Sequence, residues 1–308
     1  MGLARSLLLW GARNRWLERQ MRRRAFARRA VRRFMPGETL DAALHASRRT
    51  AGNGIGTVLT QLGENITTPE AATAVHDHYL EVLARIEEQG LPAEISVKLT
   101  QLGLDGDTDA YLAHVLALAQ RAAERGNRLW IDMEDSSYTD VTLELFRKVQ
   151  DRFPRVGLCL QSYLRRTAAD LESLLPLNPL IRIVKGAYNE PPDRAFPKKR
   201  DVDASYEALA IRLIEHCANG GSPPVLGTHD TRLIEIIQQR ATARGLAKNA
   251  CEVHMLYGIR TAAQRRLAEQ GYGVRVLISY GAAWFPWYMR RLAERPANIW
   301  FVIKSLVR

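Results

Sequence analysis

Residues 274–295 read VRVLISYGAAWFPWYMRRLAER, an apolar run that passes through Gly281 into a helical pattern carrying two adjacent arginines. Val274, Val276, Leu277 and Ile278 are interrupted only by Arg275, which suits a strand covered on both faces, as in a parallel sheet with helices packed against it. Beyond the glycine, Trp284, Trp287, Arg290 or Arg291, and Glu294 recur at three- and four-residue spacing, so an aromatic stripe and a guanidinium share one helix face. Pro286 falls in the first turn, where its missing amide hydrogen costs nothing. The stretch is half of a β/α unit.

Seven similar runs precede it, at 56–62, 94–99, 128–133, 156–161, 181–184, 225–228 and 252–256, each followed by a helical pattern. The spacing is that of a strand plus a covering helix, and eight such units predict an α/β fold of the (β/α)8 TIM-like barrel type. LTQLG at 59–63 returns at 99–103, which hints at repeated units. The glycines of 52–56 (GNGIG) precede a strand instead of following one, the wrong order for a dinucleotide-binding loop.

At 308 residues, 46% hydrophobic and 25% charged, the chain has the composition of an ordinary globular protein and can bury one large core. Its net charge of +11 is local: residues 1–35 hold eleven arginines and one acid, Glu18, hence +10, leaving +1 for the remainder. A basic nucleic-acid-binding body is excluded, and the question moves to the N-terminal segment. There, Leu3, Leu7, Trp10, Leu17, Met21, Phe26, Val31 and Phe34 fall among the arginines at helical spacing. The reading is a basic amphipathic arm over 1–51, preceding a barrel over 52–308, that either meets an anionic membrane surface or lies on the barrel. The expected location is cytoplasmic, with peripheral attachment to the inner membrane face. Cys159, Cys217 and Cys251 lack metal-ligand or disulfide spacing and read as reduced thiols. His76 and His78, two apart, cannot share a helix face, so no metal is expected.

The C-terminal ends of the runs are polar: Glu64; Lys98; Asp132 with Glu134 and Asp135; Gln161; Arg182 with Lys185; Thr228, His229 and Asp230; His254 and Tyr257. In a barrel these residues point into one mouth, where such folds place their chemistry. Arg290 and Arg291 repel each other unless an anion lies between them, and two planar guanidiniums match a carboxylate or phosphate. They can equally be solvated residues bracing Glu294.

On the residues IRIVKGAY at 181–188, WIDME at 130–134, GTHD at 227–230 and the closing Arg290–Arg291 pair, the chain resembles the proline dehydrogenase family, from about residue 52 to the C-terminus. That resemblance implies a barrel with FAD across its mouth, oxidising L-proline to 1-pyrroline-5-carboxylate and passing electrons to a quinone-type acceptor. It places Asp132 and Arg182 at the reacting centre, with Lys98, Arg290, Arg291, Tyr188, Leu256 and Leu277 around the substrate. Met133, Gln161, Lys185, Gly186, Ala187, Thr228 and His229 would line the cofactor, and Glu64 would gate the site. Two departures stand out: Leu277 and Trp287 replace tyrosine-like residues of many members. Loss of a hydroxyl beside the substrate ring opens hydroxyproline or another cyclic secondary amine as the alternative substrate. A barrel binding an anion without redox chemistry, and a scaffold led by the arm, are the other readings.

Overall fold

The computed structural model describes residues 14, 16, 19–21, 31–106, 108–247 and 249–294, with 108–109 and 290–294 as backbone only. Along this chain run α1 (Leu40–Ala51), β1 (Gly56–Gln61), α2 (Pro69–Glu88), β2 (Ala93–Val97), α3 (Thr108–Glu124), β3 (Leu129–Ile131), α4 (Thr139–Gln150), β4 (Gly157–Gln161) and α5 (Thr167–Leu174). Then follow β5 (Leu180–Val184), α6 (Lys199–Ala218), β6 (Val225–Gly227), α7 (Thr231–Thr242), β7 (Glu252–Leu256), α8 (Thr261–Glu269), β8 (Gly273–Tyr280) and α9 (Trp284–Glu294). The eight strands are parallel, pair in sequence order and close as β8 meets β1, the expected (β/α)8 barrel.

Closure rests on the stretch that opened the sequence reading. Leu59 stands opposite Ile278 and Gln61 opposite Tyr280, so β8 continues two residues past its apolar run for as long as β1 offers ladder partners. Gly281 ends it with φ of +120°, where a side chain would be strained and its Cβ would lie 3.2 Å from the Leu62 amide. β3 is shorter than its run, since only Leu129–Ile131 pair with β2 and only Trp130 and Ile131 with β4. The LTQLG echo is not a structural repeat: at 59–61 it is strand, whereas Leu99–Gln101 form a 3-10 turn beyond β2. The two copies instead touch, Gln101 Nε2 donating to the Gln61 carbonyl at 2.7 Å.

Alternation along each strand separates two apolar regions. Outward-facing Leu59, Ile95, Ile131, Leu158, Ile181, Leu226, Val253 and Ile278 meet Leu83, Val115, Phe146, Leu213 and Ile237 of the helices in one large core. Inward-facing Val58, Trp130, Leu180 and Val225, with half-buried Leu277, fill the barrel itself. Local signals set the helix starts: Thr39, Thr68 and Asp230 accept from backbone amides of the first turns of α1, α2 and α7. α1 packs into the main core through Leu40, Ala43 and Leu44 and is tied to β1 by Ser47 and Thr57, whose hydroxyls lie 2.6 Å apart.

A separate cluster joins Val31, Phe34 and Met35 to Trp284, Phe285, Trp287, Tyr288 and Met289 of α9, with Met21 packed on its edge. Trp284 Nε1 also donates to Glu38 at 3.0 Å. No helix among the described residues is long and apolar enough to cross a membrane. The three cysteines are free thiols.

Candidate active site

Period-two geometry puts Glu94, Ser96 and Lys98 on the inner face of the β2 segment, rising toward the C-terminal mouth. Lys98 Nζ reaches Asp132 Oδ2 at 2.7 Å, just past the end of β3. Ser96 donates its hydroxyl to Asp132 Oδ1 at 2.8 Å. Arg182 of β5 donates through Nη2 to the same Asp132 oxygen and, at 3.1 Å, to Ser96 Oγ. Lys98 and Asp132, each just past its strand, and Arg182, the middle residue of β5, therefore form one charge cluster with Ser96, in which Arg182 and Ser96 are buried and Lys98 and Asp132 half-buried.

Electrostatics decide the protonation of this cluster. Burial alone would neutralise each member, but opposite charges outweigh it. Desolvation pushes the Asp132 carboxyl up, and the Lys98 and Arg182 charges win and hold it below the usual aspartate range. For Lys98 the same contest, burial against the Asp132 carboxylate and then Tyr188 and Glu64, ends above the usual lysine value. The cluster carries two cations and one anion, a net positive charge at the barrel mouth. Arg182 Nη1 is buried with no hydrogen-bond partner among the described residues.

Around it, Gln161 at the end of β4 donates to the carbonyls of Met133 and Glu134 at 3.2 and 3.1 Å, which leaves its buried Oε1 without a donor. Glu134 accepts from the Thr100 amide and hydroxyl, locking the β3 loop to the turn after β2. Burial raises the Glu134 carboxyl. Gly186 has φ of +106°, and a Cβ there would strike the Tyr163 ring at 2.3 Å, so only glycine lets the chain lie against that ring. Lys185 is paired with Asp203 at 2.6 Å and Asp230 at 3.2 Å. His229 Nε2 accepts the Leu256 amide at 2.9 Å, which fixes the imidazole proton on Nδ1. Buried Thr228 accepts the Asp230 amide. Tyr188 Oη stands 3.5 Å from Glu64 Oε1, at the limit of a hydrogen bond, and Ala187 is half-buried beside it. Leu256 and Leu277 are half-buried, and Met133 is buried. Arg290 and Arg291 lie on α9, but their side chains are outside the described residues, as is most of the basic arm.

His254, expected at the mouth, lies one layer lower. Its ring stands edge-on to Trp130, with centroids 5.3 Å apart, and its Nε2 donates to Glu252 Oε1 at 2.7 Å. Burial drops its pKa to about 4, so it is a neutral interior histidine. Glu252 belongs to a network at the opposite end of the barrel in which Arg275 and Arg128 each pair with both Glu94 and Glu252. Sequence reasoning by strand ends missed Ser96, Glu94 and this network. Alternation along β2, carried back from Lys98, would have found the first two.

The proline dehydrogenase family profile matches residues 43–304. The chain belongs to the proline dehydrogenase family. Proline dehydrogenase 2 of Bacillus subtilis subsp. natto is 33% identical over 308 residues, 100% of both chains. Proline dehydrogenase of Deinococcus radiodurans is 37% identical over 281 residues, 90% of this chain and 89% of that protein. Among solved structures, proline utilization A (PutA) from Bdellovibrio bacteriovorus, inactivated by N-propargylglycine, superposes with a TM-score of 0.81 at 21% identity. That match covers 94% of this chain and 38% of the larger protein, and it carries the barrel fold.

Proposed function

We propose that this family member is a proline dehydrogenase that oxidises L-proline to 1-pyrroline-5-carboxylate with FAD and passes the electrons to a quinone-type acceptor. The observation that carries the reading is the Lys98–Asp132–Arg182 cluster: a net cationic group at the C-terminal mouth of a closed barrel. The mouth fits a flavin on two counts: Arg182 Nη1 and Gln161 Oε1 are a buried donor and a buried acceptor without hydrogen-bond partners among the described residues. Met133, Gln161, Lys185, Gly186, Ala187, Thr228 and His229 would hold it, and the flavin when bound supplies the hydride acceptor.

The protein's own part is orientation and field. Lys98, Arg290 and Arg291 would take the substrate carboxylate, with Asp132 keeping Lys98 in place and charged. A carboxylate clamped among cations brings the ring amine into positive surroundings that favour its uncharged form, from which hydride leaves more readily. Arg182 supplies positive charge where negative charge develops during the reaction. Glu64 and Tyr188 close the side of the site, and Leu256 and Leu277 offer the substrate ring apolar contacts. We propose further that residues 1–51 are an arm preceding the barrel of 52–308, and that its basic part rests on an anionic membrane face on the cytoplasmic side.

Anaerobic L-proline added to the yellow holoenzyme tests the reading: bleaching of the flavin band is expected, and a protein purified without flavin, or one that proline does not bleach, refutes it. Arg290→Met or Arg291→Met is expected to raise KM by orders of magnitude, because truncating one partner of a buried charged contact costs about 2 to 5 kcal/mol. Leu277 gives the second substrate reading its footing, since a leucine presents no hydroxyl to the ring. Comparable kcat/KM for hydroxyproline and L-proline would favour it.

A further inference from the structure

Below the charge cluster the barrel is not filled by aliphatic side chains alone. The Arg182 guanidinium carbon lies 4.7 Å from the Trp130 ring centre, so the cation rests on an aromatic face while Nη2 is held by Asp132 and Ser96. Trp130 is itself fixed. Its Nε1 donates to Glu94 Oε2 at 2.7 Å, its ring edge meets His254, and it is fully buried. Glu94 is held in turn by Arg275 at 2.9 Å and Arg128 at 3.4 Å. One polar column thus runs from the bottom of the barrel to the arginine at its mouth.

We propose that Trp130, anchored through Glu94, is the positioning residue that sets the height and plane of Arg182 at the mouth where the proposed flavin would bind. This rests on the proposed role of Arg182. The physical case is one of elimination among rigid contacts. Asp132 and Ser96 hold one end of the guanidinium, and the neighbouring Cys159 sulfur is too weak an acceptor to stop it pivoting about that end. A flat support beneath the plane removes that pivot, and a cation over an indole face is held electrostatically more firmly than over a phenyl ring. The indole can serve as a fixed support only because its single donor is satisfied from below by a carboxylate that two further arginines immobilise. Replacing Trp130 by an aliphatic residue removes both support and anchor, whereas phenylalanine keeps a face and loses the anchor.

The test uses the holoenzyme with Trp130→Leu, Trp130→Phe and wild type, and reads three quantities: the flavin reduction potential by dye equilibration, kcat, and KM for L-proline. A displaced cation stabilises reduced flavin less, so the potential should move negative in Trp130→Leu and by a smaller amount in Trp130→Phe. Misplacement by about an ångström costs roughly a hundredfold in rate, so kcat should fall by that order in Trp130→Leu. KM should stay near wild type, because the carboxylate is held by other residues. Partial recovery in Trp130→Phe separates positioning from mere filling of space. A wild-type potential in a folded, flavin-loaded Trp130→Leu overturns the proposal. If that variant does not fold, Trp130→Phe carries the test, and an unshifted potential there overturns it equally. Failure of L-proline to bleach the wild-type enzyme would instead strike the functional reading on which the proposal rests.

Discussion

Asp132 is the single acid set between Lys98 and Arg182, and it accepts from both and from Ser96. Truncation to alanine leaves buried Arg182 and half-buried Lys98 as uncompensated cations, so Asp132→Ala should lose about 3 kcal/mol of stability, measured by urea denaturation. Asp132→Asn keeps an acceptor for Ser96 and should lose less. A second residue gives a pH signature. His254 takes its proton only at about pH 4 when folded, against 6.5 for an exposed histidine, because burial disfavours the charged ring. Between those values the unfolded chain binds the extra proton, so stability falls as pH drops through this window. Glu252, lowered to about 2 from 4.5, adds its own loss only below about 4.5. The slope between pH 6.5 and 4.5 should therefore flatten in His254→Gln, and an unchanged slope would show that another group governs it. The sequence made Lys98, Asp132 and Arg182 visible because polar residues closing apolar runs are conspicuous. His254 was misplaced for the same reason: a strand of five residues exposes its middle and its end to one-dimensional reading almost alike, and only the ring contact with Trp130 fixes its depth.

At the scale of elements, the eight strands were legible because parallel strands covered on both faces are nearly continuous apolar runs, whereas the caps Thr39, Thr68 and Asp230 became visible only in the structure. Strand lengths were less legible. β8 outruns its apolar stretch and β3 falls short of its own, since length depends on partners far away in sequence. α9 was read as an aromatic helix, but what its aromatic stripe packs against was not. Phe34 and its neighbours cover it, with the Phe34 and Tyr288 rings 6.1 Å apart. This cluster is separate from the main core. Phe34→Ala should cost about 3 to 5 kcal/mol locally, the range for a large buried aromatic. Faster amide exchange in α9, with β1 to β8 unchanged, is the expected pattern, and KM for L-proline should rise because α9 carries Arg290 and Arg291. Uniformly faster exchange across the barrel would show that the segment braces the whole fold.

For the whole molecule, the decisive asymmetry is of charge: nearly all of the net +11 sits in the first 35 residues, while the barrel that does the chemistry is almost neutral. Composition made this legible, but not where the arm changes character. Val31, Phe34 and Met35 belong to the α9 cluster, Met21 touches its edge, and Trp16 is 62% exposed. A tryptophan facing water beside arginines is the residue type favoured at a membrane interface. Val31, Phe34 and Met35 thus belong with α9, and a truncation that spares them removes residues 1–30 alone. That deletion takes nine arginines and Glu18, a net charge of +8, and keeps the Val31, Phe34 and Met35 contacts with α9 while removing Met21 from their edge. With roughly 1 kcal/mol of attraction per basic residue near an anionic leaflet, three or four engaged arginines suffice for binding. The attraction should fade as salt shortens the Debye length from about 30 Å at 0.01 M to about 8 Å at 0.15 M. Sedimentation with phosphatidylserine-containing vesicles at low salt should pull down the full chain and leave the truncated protein, flavin-loaded and active, in the supernatant. Equal partition of the two, or binding that persists in high salt, would remove the membrane from the account and leave the arginines as an arm without a surface to meet.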